Sequence, residues 1–220
     1  MSNCKRKNKL FLFDLDHTLI KVNCSFYFGI FLFKKKLLSF TCMLRLASLY
    51  AMHKLGILNL KSLHKGTFNH FFSGLPANTV EQHATQFLAE ILPKYIYQPA
   101  LVKLQEAKKN GYYTAILSSS PDFLVDKIAD FFNVDFWDST IYQKNKCNHF
   151  SHIAHLMDAD LKVQTLLQMM KDLNLEQKDI TVYTDSYLDL PLMKMAGQSV
   201  GVNPDRRLKA ICQQSQWPVI

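Results

Sequence analysis

The chain has no C-x-x-C pair, and its cysteines (Cys4, Cys24, Cys42, Cys147 and Cys212) are scattered and odd in number. That argues against a disulfide framework and predicts a reducing, cytoplasmic setting. No uninterrupted apolar stretch reaches the ~18–20 residues that a spanning helix needs. The first apolar run, residues 10–13, meets an Asp after four positions, too short for a secretion signal. No internal repeat or low-complexity tract occurs. Acidic residues are scarce in one region: residues 23–96 contain no Asp and two Glu against eight Lys/Arg, a net +6. Residues 1–22 carry +3 and residues 97–220 carry −1, within a whole-chain net of +8. A solvated basic face is the plain explanation, and a positive field near a site for an anionic substrate or surface is the sharper one.

What is present suits a folded enzyme-sized domain. The 220 residues are 48% apolar and 20% charged, enough for one domain with a modest insertion to bury most of its apolar surface. KLFLFDLD reads as a buried strand that stops on acidic residues. Residues 24–33 are apolar and aromatic, residues 37–52 place Leu38, Cys42, Leu46 and Leu49 at helical spacing, and residues 57–72 and 79–92 also read as helices, the last closed by Pro93. From there strands and helices alternate. A helix over 99–110 is capped by Gly111, and a strand follows over 112–117. Ser120 and Pro121 supply an N-cap and first-turn proline for a helix to about 132. A helix over 162–173, a strand over 180–184, a short helix over 189–196, a strand over 199–202 and a helix over 205–212 complete the order. This alternation predicts an α/β fold, a Rossmann-like parallel sheet with helices on both faces.

Strands end in Asp14/Asp16, Ser118 and Asp185. Ligands sit beyond the carboxyl ends of such strands, so these groups are expected to converge. Paired carboxylates divide into nucleophile and general acid/base, or hold a hard cation such as Mg²⁺. Asp189 adds oxygen ligands, Lys162 a fixed positive charge and Ser118 a hydrogen-bond donor, the parts needed to stabilise a transferring phosphoryl group. Each is weak alone; Asp185 by itself could equally be a helix N-cap, and Lys162 a solvated helix residue.

Taken in order, FDLDHTLI, AILSSSPDFL, LKVQTLL and YTDSYLDLPLM resemble the four motifs of the haloacid dehalogenase-like hydrolases, and most closely the phosphoserine-phosphatase-like branch. The resemblance implies a core of residues 1–22 and 97–220 with a helical cap, residues 23–96, inserted after the first strand. It further implies that Asp14 attacks phosphorus and becomes an aspartyl-phosphate, while Asp16 protonates the leaving group and then activates water. Mg²⁺ would be held by Asp14, the Asp16 carbonyl and Asp185, with Asp189 in support. Ser118 and Lys162 would bind the phosphoryl oxygens, with Thr18 ordering the loop beside them. Asn23 and Ser119 are the candidates for substrate selection. Asn23 stands where phosphoserine phosphatases usually carry a Glu, which argues against phosphoserine, and Thr184 stands where the fourth motif commonly has Gly.

The expected partner is a small phosphorylated substrate. Phe26, Tyr27, Phe28, Phe31 and Phe33 beside Lys34–Lys36 resemble an interfacial anchor for an anionic membrane surface, against the plainer reading that they pack cap on core. A phospholipid head group is therefore a second substrate class, and a phosphotransferase or a non-catalytic binding protein on the same fold are alternatives. Cys147, His149, His152 and His155 are spaced to hold Zn²⁺, but loop residues are the simpler expectation. The basic CKRKNK start reads as a solvated end, and nucleic acid is not expected as a partner.

Overall fold

The structure is a computed structural model that describes residues 7–220, and for Lys54 the backbone alone. Of the basic start, Cys4, Lys5 and Arg6 lie outside the described residues; Lys7 pairs with Asp135, and Lys9 lies over the Tyr112 ring. Six strands form one sheet in the order β4-β3-β2-β1-β5-β6. They are β1 (Leu10–Phe13), β2 (Tyr113–Pro121), β3 (Phe136–Lys144), β4 (Phe150–His155), β5 (Ile180–Thr184) and β6 (Gln198–Gly201). All pairings are parallel except β3 with β4.

Residues of β1 alternate between the two faces of the sheet. Leu10 and Leu12 join Ala115, Leu117, Ile180 and Val182 in one apolar cluster, whereas Phe13 joins Ile116, Tyr183 and Val200 in the other. Phe13 stacks on Tyr183 with ring centroids 4.5 Å apart. Both faces are covered, which accounts for an unbroken apolar strand. The covering helices are α5 (Gln98–Lys109), α6 (Asp122–Phe132), α7 (Ala159–Leu173), α8 (Leu190–Lys194) and α9 (Arg206–Gln214).

Between β1 and β2 stand four α-helices: α1 (Cys24–Lys34), α2 (Phe40–Lys54), α3 (Leu60–Thr67) and α4 (Ala77–Tyr95). Asn23, Ser39 and Asn59 cap the first three, each side chain accepting a backbone N–H of its helix's first turn. Phe28 and Phe31 are buried, with Phe28 against Phe87 and Phe123. Phe26 and Tyr27 pack against the same cluster, so four of the five aromatics are engaged in packing.

Several expected boundaries move. The helix expected over 57–72 is α3 followed by a wider turn at Phe68–Phe72 that buries Phe68, Phe71 and Phe72. Pro93 does not close α4, which runs on to Tyr95; so near its end the ring costs one backbone hydrogen bond. β2 extends to Pro121, which becomes the N-cap of α6, and Ser120 caps nothing because its hydroxyl is used elsewhere. α7 starts three residues before Lys162, at Ala159, and is capped by Asp158, which accepts from the Leu161 N–H at 3.0 Å. The Cys147–His155 stretch, expected as a loop, is mostly the antiparallel hairpin strand β4.

Candidate active site

The register sets β1, β2 and β5 level: Phe13 lies opposite Ile116 on one side and Tyr183 on the other. The residues that follow each strand therefore meet at one edge. The chain moves outward from β1 through β2 and β3, then returns to the far side of β1 for β5 and β6. The crevice where strand order reverses lies at β1, and Asp14 is its first residue. The Asp14 N–H continues the ladder to the Tyr183 carbonyl at 2.9 Å. Leu15 turns into the core, fully buried, while Asp14 and Asp16 both line a cavity of about 170 Å³. His17 takes a left-handed φ of 59°, letting the N–H groups of Thr18 and Ile20 return to the Leu15 carbonyl.

Asp14, Lys162 and Asp189 form one buried unit. Lys162 Nζ donates to Asp14 Oδ1 at 2.8 Å and to Asp189 Oδ2 at 2.9 Å. Burial raises the Asp14 pKa from 3.8 to about 7, against the pull of Lys162, with Asp189 adding to the rise. Burial works against the Lys162 charge, but Asp14 and Asp189 more than offset it and hold the ammonium charged. Thr184 donates to the same Asp189 oxygen at 2.7 Å. The departure from the usual Gly is thus the residue that orients Asp189. Oδ2 of Asp189 is taken up by Lys162 and Thr184 together.

Asp16 is held separately. Oδ1 accepts the Cys24 N–H at the start of α1 at 2.8 Å, and Oδ2 accepts the Ser120 hydroxyl at 2.7 Å and the Asn23 amide at 3.2 Å. Asn23 also accepts from the Phe26 N–H at 2.8 Å, so its side chain is engaged at both ends although it borders the cavity. The inserted helices thus begin on the acid/base candidate itself. Sequence reasoning missed Ser120: three serines run together, and only the strand's pleat tells which one faces Asp16.

Asp185 follows β5 at the same edge. Burial and then the charge of Asp14 raise its pKa from 3.8 to about 8. Lys162 donates to Asp14 and Asp189, and no described Lys or Arg pairs directly with the half-buried Asp185, so its ionised form goes uncompensated. Ionised Asp14 and Asp185 would suit a divalent cation, which supplies the charge they lack. Among the described residues no three His, Cys, Asp or Glu side chains form a metal site on their own. Two carboxylates and a backbone carbonyl suit Mg²⁺, which keeps several of its waters.

The remaining expected residues divide. Ser119 borders the cavity, and its carbonyl accepts the Thr140 hydroxyl at 2.7 Å. Ser118 is buried beneath, its hydroxyl accepting the Ser120 N–H at 3.1 Å, and it is not part of the lining. Thr18 is fully buried and its hydroxyl has no partner. The opposite wall comes from the inserted helices and is mostly apolar, including Leu32, Leu46 and Leu63, with Tyr50, His53 and His64 among them. Burial, then the nearby His53, lowers the His64 pKa to about 4, so it is neutral at physiological pH. None of the described Lys or Arg side chains of residues 23–96 lines the cavity. The basic charge of that region therefore faces elsewhere.

Cys147, His149, His152 and His155 do not converge. His149 Nδ1 contacts the Cys147 carbonyl at 2.8 Å, His152 Nδ1 the Ser151 hydroxyl at 3.0 Å and His155 Nε2 the Ser139 carbonyl at 3.0 Å. All four side chains are at least partly exposed.

The haloacid dehalogenase-like hydrolase profile matches residues 11–194. A histidinol-phosphatase of Neisseria meningitidis is 24% identical over 96% of this chain and 97% of its own length. A solved protein of unknown function from Bordetella pertussis superposes with a TM-score of 0.86 at 20% identity, covering 97% of this chain and 98% of that one. A phosphoserine phosphatase solved as an analogue of its phospho-aspartyl intermediate superposes with a TM-score of 0.71 at 18% identity, over 97% and 92% of the two chains. The matched span runs from β1 to the end of α8 and includes every carboxylate of the crevice, so the chain belongs to the haloacid dehalogenase-like hydrolases.

Proposed function

We propose that this protein is a Mg²⁺-dependent phosphomonoester hydrolase that passes the phosphoryl group through Asp14, with residues 23–96 as its cap. The observation that carries the reading is the division of labour between two carboxylates one residue apart. Asp14 is tied to a buried ammonium, and Asp16 is tied to a hydroxyl and a helix N-terminus. A nucleophile must be ionised and fixed, whereas an acid/base must exchange a proton at a fixed place.

In the first step an Asp14 carboxylate oxygen attacks phosphorus, and the bond to the ester oxygen breaks. Asp16 gives its proton to the departing alkoxide, so the alcohol leaves neutral. In the second step Asp16 takes a proton from water as that water attacks the phosphorus of the Asp14 acyl phosphate. Inorganic phosphate leaves and Asp14 is restored as a carboxylate. Lys162 offsets charge around Asp14 throughout, and Ser119, with Ser118 behind it, borders the phosphoryl position. Asp14, Asp185 and the Asp16 carbonyl would hold Mg²⁺, with Asp189 supporting. The cation supplies neutralisation of the like charges that otherwise keep a carboxylate from a phosphate dianion.

The full-length likeness to a histidinol-phosphatase supports a small phosphorylated metabolite as substrate. The apolar cap wall, and Asn23 in place of an acid, weigh against the zwitterionic head of phosphoserine. A Mg²⁺-dependent screen across histidinol phosphate, phosphoserine, sugar phosphates, nucleotides and lipid phosphates tests the reading, with p-nitrophenyl phosphate as a general probe. Turnover that vanishes in a folded Asp14→Asn variant is expected. Near-wild-type turnover by that variant sinks the nucleophile assignment. Inactivity across the whole panel favours a binding protein, and new phosphoesters formed with added alcohols favour a phosphotransferase.

A further inference from the structure

Helix α2 has two apolar sides, and only one is covered. Leu46, Tyr50 and His53 line the cavity from within. Phe40, Leu44 and Leu55, at the helix and its C-cap, are 71%, 62% and 75% exposed, and Met52 beside them is also exposed. At ~100° per residue those four fall within about 120° of one another, on the side of α2 turned away from the cavity. Ile57, in the turn after α2, is 67% exposed and extends the patch. Single exposed apolar side chains are ordinary, but four on one side of a helix and its C-cap, interrupted there by Ser48, are not.

The chain that carries this stripe has charge of one sign, although Lys35 beside it pairs with Glu90 of α4 at 3.5 Å. Residues 23–80 contain no Asp or Glu. Lys34 and Lys36 precede α2, Arg45 lies on it and Lys61 and Lys65 follow on α3, all exposed. These cations do not serve the cavity, which none of them lines. An apolar helical face with a cationic border is the pattern of a helix that lies in the plane of an anionic lipid surface.

We propose that the outer face of α2 docks this protein onto an anionic lipid bilayer, with Phe40, Leu44, Met52 and Leu55 entering the interface and the flanking Lys and Arg contacting acidic head groups. This replaces the aromatic run of α1 as the anchor, since Phe28 and Phe31 are buried. The proposal stands apart from the catalytic reading, because no side chain it uses borders the crevice.

The test is flotation of the full chain with phosphatidylcholine vesicles made with or without phosphatidylglycerol, at low and high salt. The expected result is flotation only with phosphatidylglycerol, weakened by salt. The variant F40S/L44Q/L55Q is expected to lose more than about tenfold in partitioning. The variant K34Q/R45Q is expected to lose about 25-fold, near fivefold per charge. Both keep wild-type melting and p-nitrophenyl phosphate turnover. A wild-type protein that stays unbound at low salt, or variants that bind as it does, overturns the proposal while leaving phosphatase activity as its own result. Wild-type dimers that F40S/L44Q/L55Q fails to form, without flotation, assign the face to a second copy and overturn it too.

Discussion

Replacing Lys162 with Met removes the cation that bridges Asp14 and Asp189 while keeping the length of the aliphatic stem. The Lys162, Asp14 and Asp189 side chains are 5%, 11% and 6% exposed, so water cannot take over the lost contacts. Breaking a buried pair from one side costs about 3–5 kcal/mol at neutral pH. For a chain of this size that corresponds to a fall in Tm of roughly 6–20 °C. The loss has a definite pH dependence. Without the ammonium, the Asp14 pKa, already raised from 3.8 to about 7, moves further up. A carboxyl whose pKa is raised in the folded state stabilises most below its unfolded value and loses that contribution as pH rises through the folded value. The deficit of Lys162→Met against wild type is therefore smallest near pH 4 and widens towards pH 8 and above. Urea denaturation of both proteins across that range, with chelator present, measures it. Phosphatase turnover is expected to fall about 10²–10³-fold. A deficit below about 1 kcal/mol at every pH, or one that narrows as pH rises, refutes the assignment of Lys162 as the buried counter-charge.

Ser120→Ala is expected to lower kcat about 10–100-fold with KM nearly unchanged, since it frees Asp16 Oδ2 from a charged hydrogen bond; steady-state kinetics with p-nitrophenyl phosphate would show an unchanged kcat if Ser120 were incidental. Thr184→Val is expected to cost about 1.5–3 kcal/mol by leaving Asp189 one donor short, read by urea denaturation. Mg²⁺ is expected to raise Tm, and by more as pH climbs through about 7 and about 8, because protons held by Asp14 and Asp185 compete with the cation; thermal melts with and without Mg²⁺ check this, and a gain that shrinks with pH contradicts it. Asp185→Asn is expected to stabilise the metal-free protein above about pH 8 and to remove the Mg²⁺ response, both visible in the same melts.

Much of the core was legible because its signals are local. LFLF followed by DLD announces a buried strand and its functional end, and each further motif falls at a strand end or helix start. Where reading failed, the deciding contact was distant in sequence. Ser120 reads as a helix cap until β1 brings Asp16 beside it, 104 residues away in the chain. Thr184 reads as a tolerated departure until Asp189 turns back onto it across a short helical turn. The β3–β4 hairpin lacks a clean two-residue alternation, and its ladder carries register shifts that blur the pattern. The inserted helices were visible as helices, but their facing was not. Apolar residues occur on both sides of α2, so periodicity could not tell the side that lines the cavity from the side that is exposed.

The central claim is that the phosphoryl group is carried on Asp14. Enzyme quenched in acid while turning over p-nitrophenyl phosphate with Mg²⁺, then reduced with borohydride, converts an aspartyl-phosphate to homoserine that peptide mass mapping can place. The expected result is homoserine at position 14, absent when Mg²⁺ or substrate is omitted. Homoserine at another aspartate, or steady turnover with Asp14 unmodified in every quench, contradicts it.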